Sequence, residues 1–187
     1  MRGRIRAVNL ARAAPVIVAL ALIGNAHAAS RNEKVFQAVE ANRGGALELL
    51  KEIVNIDSGT GDIEGGAKVE AVLGARLTQL GAEVRTEPAE APGLPDNLVA
   101  VFHGTGKGRI LIIAHVDTVF GPGTVATRPF SMDKDRAHGP GVGDEKAGVV
   151  NAFTALKILH DLGFKNSRPS RSCWTTARSE AHPVRRS

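Results

Sequence analysis

The chain has 187 residues, 43% apolar and 23% charged, which is enough for one domain with a buried core and too apolar for a chain disordered throughout. Its formal charge of +5 points to a nucleic-acid partner only until the charge is located. Four Arg lie in residues 1–12 and five in 167–187, while the stretch between holds 15 Lys and Arg against 18 Asp and Glu, so the body is mildly acidic and nucleic-acid binding is not expected.

Arg2, Arg4, Arg6 and Arg12 precede an apolar run from Ala13 to Ile23, and Ala26-His27-Ala28 follows as a small-residue cleavage site. That order is that of a secretory signal peptide, residues 1–28, cut after Ala28. A membrane anchor needs roughly 20 apolar residues, and this run is shorter and ends in Asn25 and His27. The expected mature protein is exported to a bacterial periplasm and keeps no membrane contact. Its single cysteine, Cys173, excludes an intramolecular disulfide and a thiolate metal cluster.

From Val35 to Ile56 apolar residues recur at helical spacing, with Gly44-Gly45 between them, which reads as one broken helix or two short ones. Asp57-Ser58-Gly59-Thr60-Gly61-Asp62 is turn chemistry. A second amphipathic helix runs from Ile63 to Leu80, with Val69, Leu73 and Leu77 on one face and Gly81 as its stop. Strands follow at Ala82 to Thr86, Asn97 to Phe102 and Arg109 to His115. Arg109-Ile110-Leu111-Ile112-Ile113-Ala114 is apolar on both faces and is predicted to be a central strand. A third helix spans Glu145 to Leu162, and periodicity ends after Asn166. The predicted fold class is α/β, a mixed sheet flanked by helices.

Chemistry concentrates at two places. His115-Val116-Asp117-Thr118 directly follows the apolar strand, and residues two apart in extended chain face the same way. The imidazole and the carboxylate can therefore project together from the strand's carboxyl end, where α/β sheets place their ligands. A histidine that binds metal needs an acceptor on its other nitrogen, and Asp117 can serve. A lone His-x-Asp is also a common turn, so this spacing alone does not decide. The second place is Gly139-Pro140-Gly141-Val142-Gly143-Asp144-Glu145-Lys146-Ala147-Gly148, a glycine-rich loop that sets a carboxylate at the start of a helix. It lacks the spacing of a phosphate-binding loop, as does Gly104-Thr105-Gly106-Lys107-Gly108. Asp133, Asp135, His138 and His160 read as loop and helix-surface residues without a role.

Taken together, 29 positions apart, the two motifs resemble the zinc metallopeptidase family of carboxypeptidase G, aminoacylase and the bacterial dipeptidases. The resemblance runs from about Val35 to Asn166. It is strongest to glutamate carboxypeptidases, through Val54 to Asp62, Ala114-His115-Val116-Asp117-Thr118-Val119-Phe120 and the Gly139 to Gly148 loop. It implies a zinc-exopeptidase-like catalytic domain that holds two zinc ions, with His115 and Asp144 as metal ligands. Asp144 bridges the ions, Asp117 is a catalytic residue that orients His115, and the Asp144–Glu145 peptide is cis. The implied reaction is hydrolysis of a C-terminal amide in a small peptide or N-acyl amino acid, with glutamate released and a homodimer in the full-length form. An aminoacylase or dipeptidase of the same family is the alternative.

The family's Glu-Glu pair and its later ligands have no match here. Residues 29–166 are accordingly read as the amino-terminal part of the catalytic domain, and 167–187 as an out-of-frame tail, against the alternative of a genuine basic tail. Degenerate codons for Cys173 to Glu180 permit Leu-Asp-Asn-Ser-Glu-Glu-Arg in a neighbouring frame. On that reading the chain lacks its central strands and is inactive as it stands, and a non-catalytic remnant of a frameshifted gene is the alternative of another class.

Overall fold

The computed structural model describes residues 31–89, 91–106, 109–164 and 170–175. The predicted signal peptide lies outside the described residues, as does the tail apart from 170–175. Contacts divide the chain into two units, residues 1–36 and 37–187; the core and the site lie in the second.

Helix α1 runs unbroken over Glu33–Val54, so Gly44-Gly45 neither breaks nor splits it. Each glycine inside a helix costs about 1 kcal/mol against alanine, and the burial of Leu49, Leu50, Ile53 and Val54 in the last turns outweighs that, at roughly 1.5–3 kcal/mol per side chain. Asp62 opens α2, Ile63–Gln79, by accepting the Gly65 main-chain N–H at 2.9 Å, as a capping carboxylate does. Gly81 ends the turn that follows at φ +83°. Then come β1, Glu83–Glu87; β2, Asn97–Phe102; and β3, Leu111–His115. One helical turn, α3, Thr124–Thr127, and a small hairpin of β4, Ser131–Asp133, and β5, Arg136–His138, precede α4, Ala147–Asp161. Strand β6, Ser170–Thr175, is last.

The main sheet is mixed, in the order β1-β2-β6-β3, with β1 and β6 antiparallel to β2 and β3 parallel to β6. Alternate residues Leu98, Ala100 and Ala114 turn one face toward Leu49, Ile53 and Val54 of α1, Val69, Leu73 and Leu77 of α2, and Val149, Val150 and Phe153 of α4 in a single cluster. The predicted α/β class with a mixed sheet is thus found, and no helix among the described residues is long and apolar enough to cross a membrane.

Two expectations are corrected. The sheet does not lack a central strand, because Ser170–Thr175 lies between β2 and β3, its Cys173 level with Val99 and Ile113. Ladder bonds use main-chain groups that every non-proline residue carries, so a run without hydrophobic alternation still pairs. Conversely, β3 ends the described sheet, with Leu111 61% and Ile113 66% exposed. Apolarity on both faces showed that the segment is suited to burial, not which neighbours stand beside it.

One buried carboxylate ties α2 to the sheet. Glu70 accepts the Leu98 main-chain N–H at 3.0 Å, and burial, assisted by Asp96, pushes its pKa from 4.5 up to about 7. Between those pH values the folded chain holds a proton that unfolding releases, so stability falls as pH rises through the window. Glu70→Gln keeps the acceptor and removes the titration. The variant is expected to lose this fall in stability across the window, and to exceed the parent by about 1–3 kcal/mol at pH 8 in urea unfolding.

Candidate metal centre

The site forms where β3 ends against the loop that precedes α4. The Asp57 to Asp62 turn lies alongside the chain leaving β3. Thr118 N–H donates to Ser58 O at 2.8 Å, Thr60 N–H to Thr118 O at 2.9 Å, and the buried Ser58 hydroxyl to Val116 O at 2.9 Å. The approach needs glycine, since a Cβ on Gly59 would stand 2.4 Å from Phe120 O. On the other side, Gly141 at φ +77° brings the loop so close that a Cβ there would lie 2.5 Å from Thr118 Cγ2. Asp57 pins the next loop by accepting the N–H groups of Gly123 at 2.8 Å and Val125 at 3.0 Å.

His115, Asp117 and Asp144 meet between these segments. His115 Nδ1 is 3.0 Å from Asp117 Oδ1 and 3.2 Å from Asp117 O, and its Nε2 is 3.2 Å from Asp144 Oδ1. Only the main-chain oxygen lies in hydrogen-bonding direction from Nδ1, and Asp117 Oδ1 is left without a hydrogen bond. Asp117 is 3% exposed, and its other oxygen accepts the Thr60 hydroxyl. Asp144, by contrast, is exposed to solvent. Its loop, Val142–Lys146, is a wide turn broken at Asp144 (φ −148°, ψ 92°) and Glu145 (φ −135°, ψ 29°). The peptide between them is cis, as the resemblance implied. His115, Asp117, Asp144 and Thr60 line a cavity of about 280 Å³. A larger open groove of about 560 Å³, lined by Gly59 to Ile63 and Thr118 to Pro122, adjoins it and holds none of His115, Asp117 and Asp144.

This arrangement suits a cation. With its Nδ1 proton on the Asp117 side, the imidazole turns an Nε2 lone pair toward a carboxylate oxygen 3.2 Å away, and two acceptors so placed call for a proton or a metal between them. One imidazole nitrogen and one carboxylate oxygen are zinc donors, and bonds of about 2.0–2.2 Å at a tetrahedral ion separate such donors by about 3.3–3.6 Å, slightly more than is seen here. The donors fit in kind but fall short in number. Zinc sites use three or four protein ligands, and among the described residues no group of three His, Cys, Asp or Glu is placed to hold one ion.

Thr60, Glu145 and Lys146 were not singled out from the sequence, and all three hold the site in place. Glu145 Oε1 accepts the His115 main-chain N–H at 2.8 Å. Lys146 is completely buried, and its Nζ donates to Ile53 O at 2.8 Å and Ile56 O at 2.9 Å at the end of α1. Burial pushes its pKa down to about 8, opposed by the Asp57 carboxylate. The only signal for Lys146 was its place inside the glycine-rich loop. The residues read as roleless lie elsewhere: Asp133, Asp135 and His138 in the β4–β5 hairpin, and His160 beside Asp161 at the exposed end of α4.

A mixed sheet flanked by helices, with a His-x-Asp pair at a strand end facing a loop carboxylate, is the fold shared with the peptidases that follow. Residues 111–177 match the model of peptidase family M20/M25/M40. Over 153 residues the chain is 34% identical to carboxypeptidase G2 of Pseudomonas sp. (strain RS-16), which covers 82% of this chain and 37% of that protein. It is 27% identical over 136 residues to the Beta-Ala-Xaa dipeptidase of Lactobacillus delbrueckii subsp. lactis, 69% of this chain and 28% of that one. Human carnosine dipeptidase 1 shares the fold, with a TM-score of 0.64 at 20% identity over 76% of this chain and 34% of that one. The metallopeptidase resemblance read from the sequence is thus borne out, and the chain is related to the M20/M25/M40 peptidases. It spans about a third of the length of the relatives it matches. The family match runs to residue 177, past the boundary drawn at 166.

Proposed function

We propose that the protein is a zinc-dependent exopeptidase that hydrolyses a C-terminal amide bond in a small peptide or N-acyl amino acid and releases glutamate. The observation that carries this reading is the convergence of His115 Nε2 and Asp144 Oδ1 at 3.2 Å with Asp117 behind the imidazole. Identity of 34% to a carboxypeptidase supports the choice of reaction. His115 and Asp144 would hold the metal, Asp144 shared by two ions. Zinc bound there supplies a Lewis acid and a water activated near neutral pH.

The chain's own residues prepare the place. The Asp117 main-chain oxygen faces Nδ1 and its carboxylate charge stands beside it, which together favour the proton there and leave Nε2 a lone pair, and the Thr60 hydroxyl fixes that carboxylate in turn. Among the described residues no carboxylate stands ready as general base, because Glu145 is committed to the His115 N–H. The 187-residue chain by itself is therefore expected to bind zinc weakly and to turn over nothing. Export to the periplasm and a homodimer in a longer product belong to the same proposal.

The test is to express the gene together with the DNA after the Ser187 codon and to assay the product, with zinc, on an N-acyl glutamate and a β-alanyl dipeptide side by side. A preference for the acyl glutamate of about tenfold or more supports the reading, and the reverse preference hands the protein to the dipeptidases. Zinc-dependent turnover by the 187-residue chain alone would overturn the view that its site is incomplete.

A further inference from the structure

We propose that Glu145 is a positioning residue, a carboxylate that binds no metal but sets the span between His115 and Asp144. The inference rests on the reading that those two residues hold the metal. They come from elements 29 positions apart, and Asp144 is solvent-exposed on a loop rich in glycine. Its Oδ1 nevertheless stands 3.2 Å from His115 Nε2.

Glu145 supplies a constraint on that distance. Its Oε1 accepts the His115 main-chain N–H at 2.8 Å, so the loop is fastened to the very residue whose side chain faces Asp144. A ring closes: His115 backbone, Glu145 carboxylate, the peptide to Asp144, the Asp144 carboxylate, and the His115 imidazole. Within that ring the distance between the two ligands depends on the reach of one side chain. Lys146, on the next position, fastens the same loop to the end of α1 through Ile53 O and Ile56 O. The loop's height above the helices and its distance from β3 thus have separate anchors.

The anchoring needs an acceptor of the right length and not a charge, which distinguishes it from an electrostatic role. Glu145→Gln keeps the acceptor at the same reach, Glu145→Asp keeps the charge and is one methylene short, and Glu145→Ala loses both. Two measurements on the purified chain read the difference: hydrogen exchange at the His115 amide without metal, and zinc affinity by competition with a chromophoric chelator. Exchange at His115 is expected to quicken about tenfold in the Ala and Asp variants and to stay within about threefold of the parent in the Gln variant. Zinc affinity is expected to follow the same order, falling about tenfold or more in Ala and Asp. Unchanged exchange in Glu145→Ala, or a Gln variant that behaves like Ala, overturns the proposal. Zinc binding indifferent to His115→Ala would sink the metal reading instead, and the amide measurement would still decide the role of Glu145.

Discussion

Lys146→Met is expected to destabilise the chain by about 2–4 kcal/mol, the largest effect of any single change at the site. Methionine fills nearly the same volume as the lysine stem, so packing is largely conserved. What disappears is the pair of hydrogen bonds from Nζ to Ile53 O and Ile56 O. Ile53 O lies in the last turn of α1, where a helix leaves its C=O groups without a full partner. Among the described residues it has besides Nζ only the long 3.4 Å contact from Ile56 N–H, while Ile56 O follows the helix end. A buried carbonyl left short of its donor costs about 1–3 kcal/mol, the half-buried Ile56 O less, and the relief from burying a cationic group offsets part of the sum. Urea unfolding followed by circular dichroism reads the difference. A change below about 0.5 kcal/mol would mean that water or a shifted backbone satisfies both carbonyls, and that Lys146 does not fasten the loop to the helix.

Zinc binding by the chain, weak to begin with, is expected to fall at least a hundredfold in His115→Ala and Asp144→Ala, while Asp117→Asn weakens it about ten- to a hundredfold. The first two remove the donors that converge at 3.2 Å. The third keeps the shape of the side chain and the main-chain oxygen that faces Nδ1, but removes the carboxylate charge 3.0 Å from that nitrogen. Stability separates the three. Asp144 is exposed, so Asp144→Ala should leave the unfolding midpoint almost unmoved. Asp117 is buried with its Oδ2 on the Thr60 hydroxyl, so its replacement should lower the midpoint as well as the affinity. Isothermal titration with zinc, paired with thermal unfolding of each variant, checks both. Equal zinc affinity in the parent and in Asp144→Ala would remove Asp144 from the site.

Much of the fold was legible in the sequence because its signals are local. The 3.6-residue repeat of Val69, Leu73 and Leu77, the cap at Asp62 and the stop at Gly81 placed α2 within a residue of its observed end. The run Asn97–Phe102 was found with its exact bounds. Where the reading failed, the deciding term was not local. Gly44-Gly45 weakens a helix taken by itself, and the burial of Leu49 to Val54 against the sheet overrides it. Ser170–Thr175 has no alternating pattern, and main-chain pairing with β2 and β3 makes it a strand.

The site divides in the same way. His115, Asp117 and Asp144 were singled out by two motifs and the family resemblance that these carry, since the spacing of His115 and Asp117 alone did not decide. Thr60 could not, since a threonine in a turn-forming run is chemically ordinary until the Gly59 to Thr118 bridge brings it onto Asp117. Glu145 and Lys146 were read as neighbours of a ligand, and only the packed structure shows that one reaches β3 and the other α1. By itself the sequence determined which groups could do chemistry and which segments were helix or strand, because those properties reside in residue type and period. The tertiary structure alone decided which groups meet and what holds them there, because a 3 Å contact between residues 29 or 90 positions apart is set by the packing of whole elements.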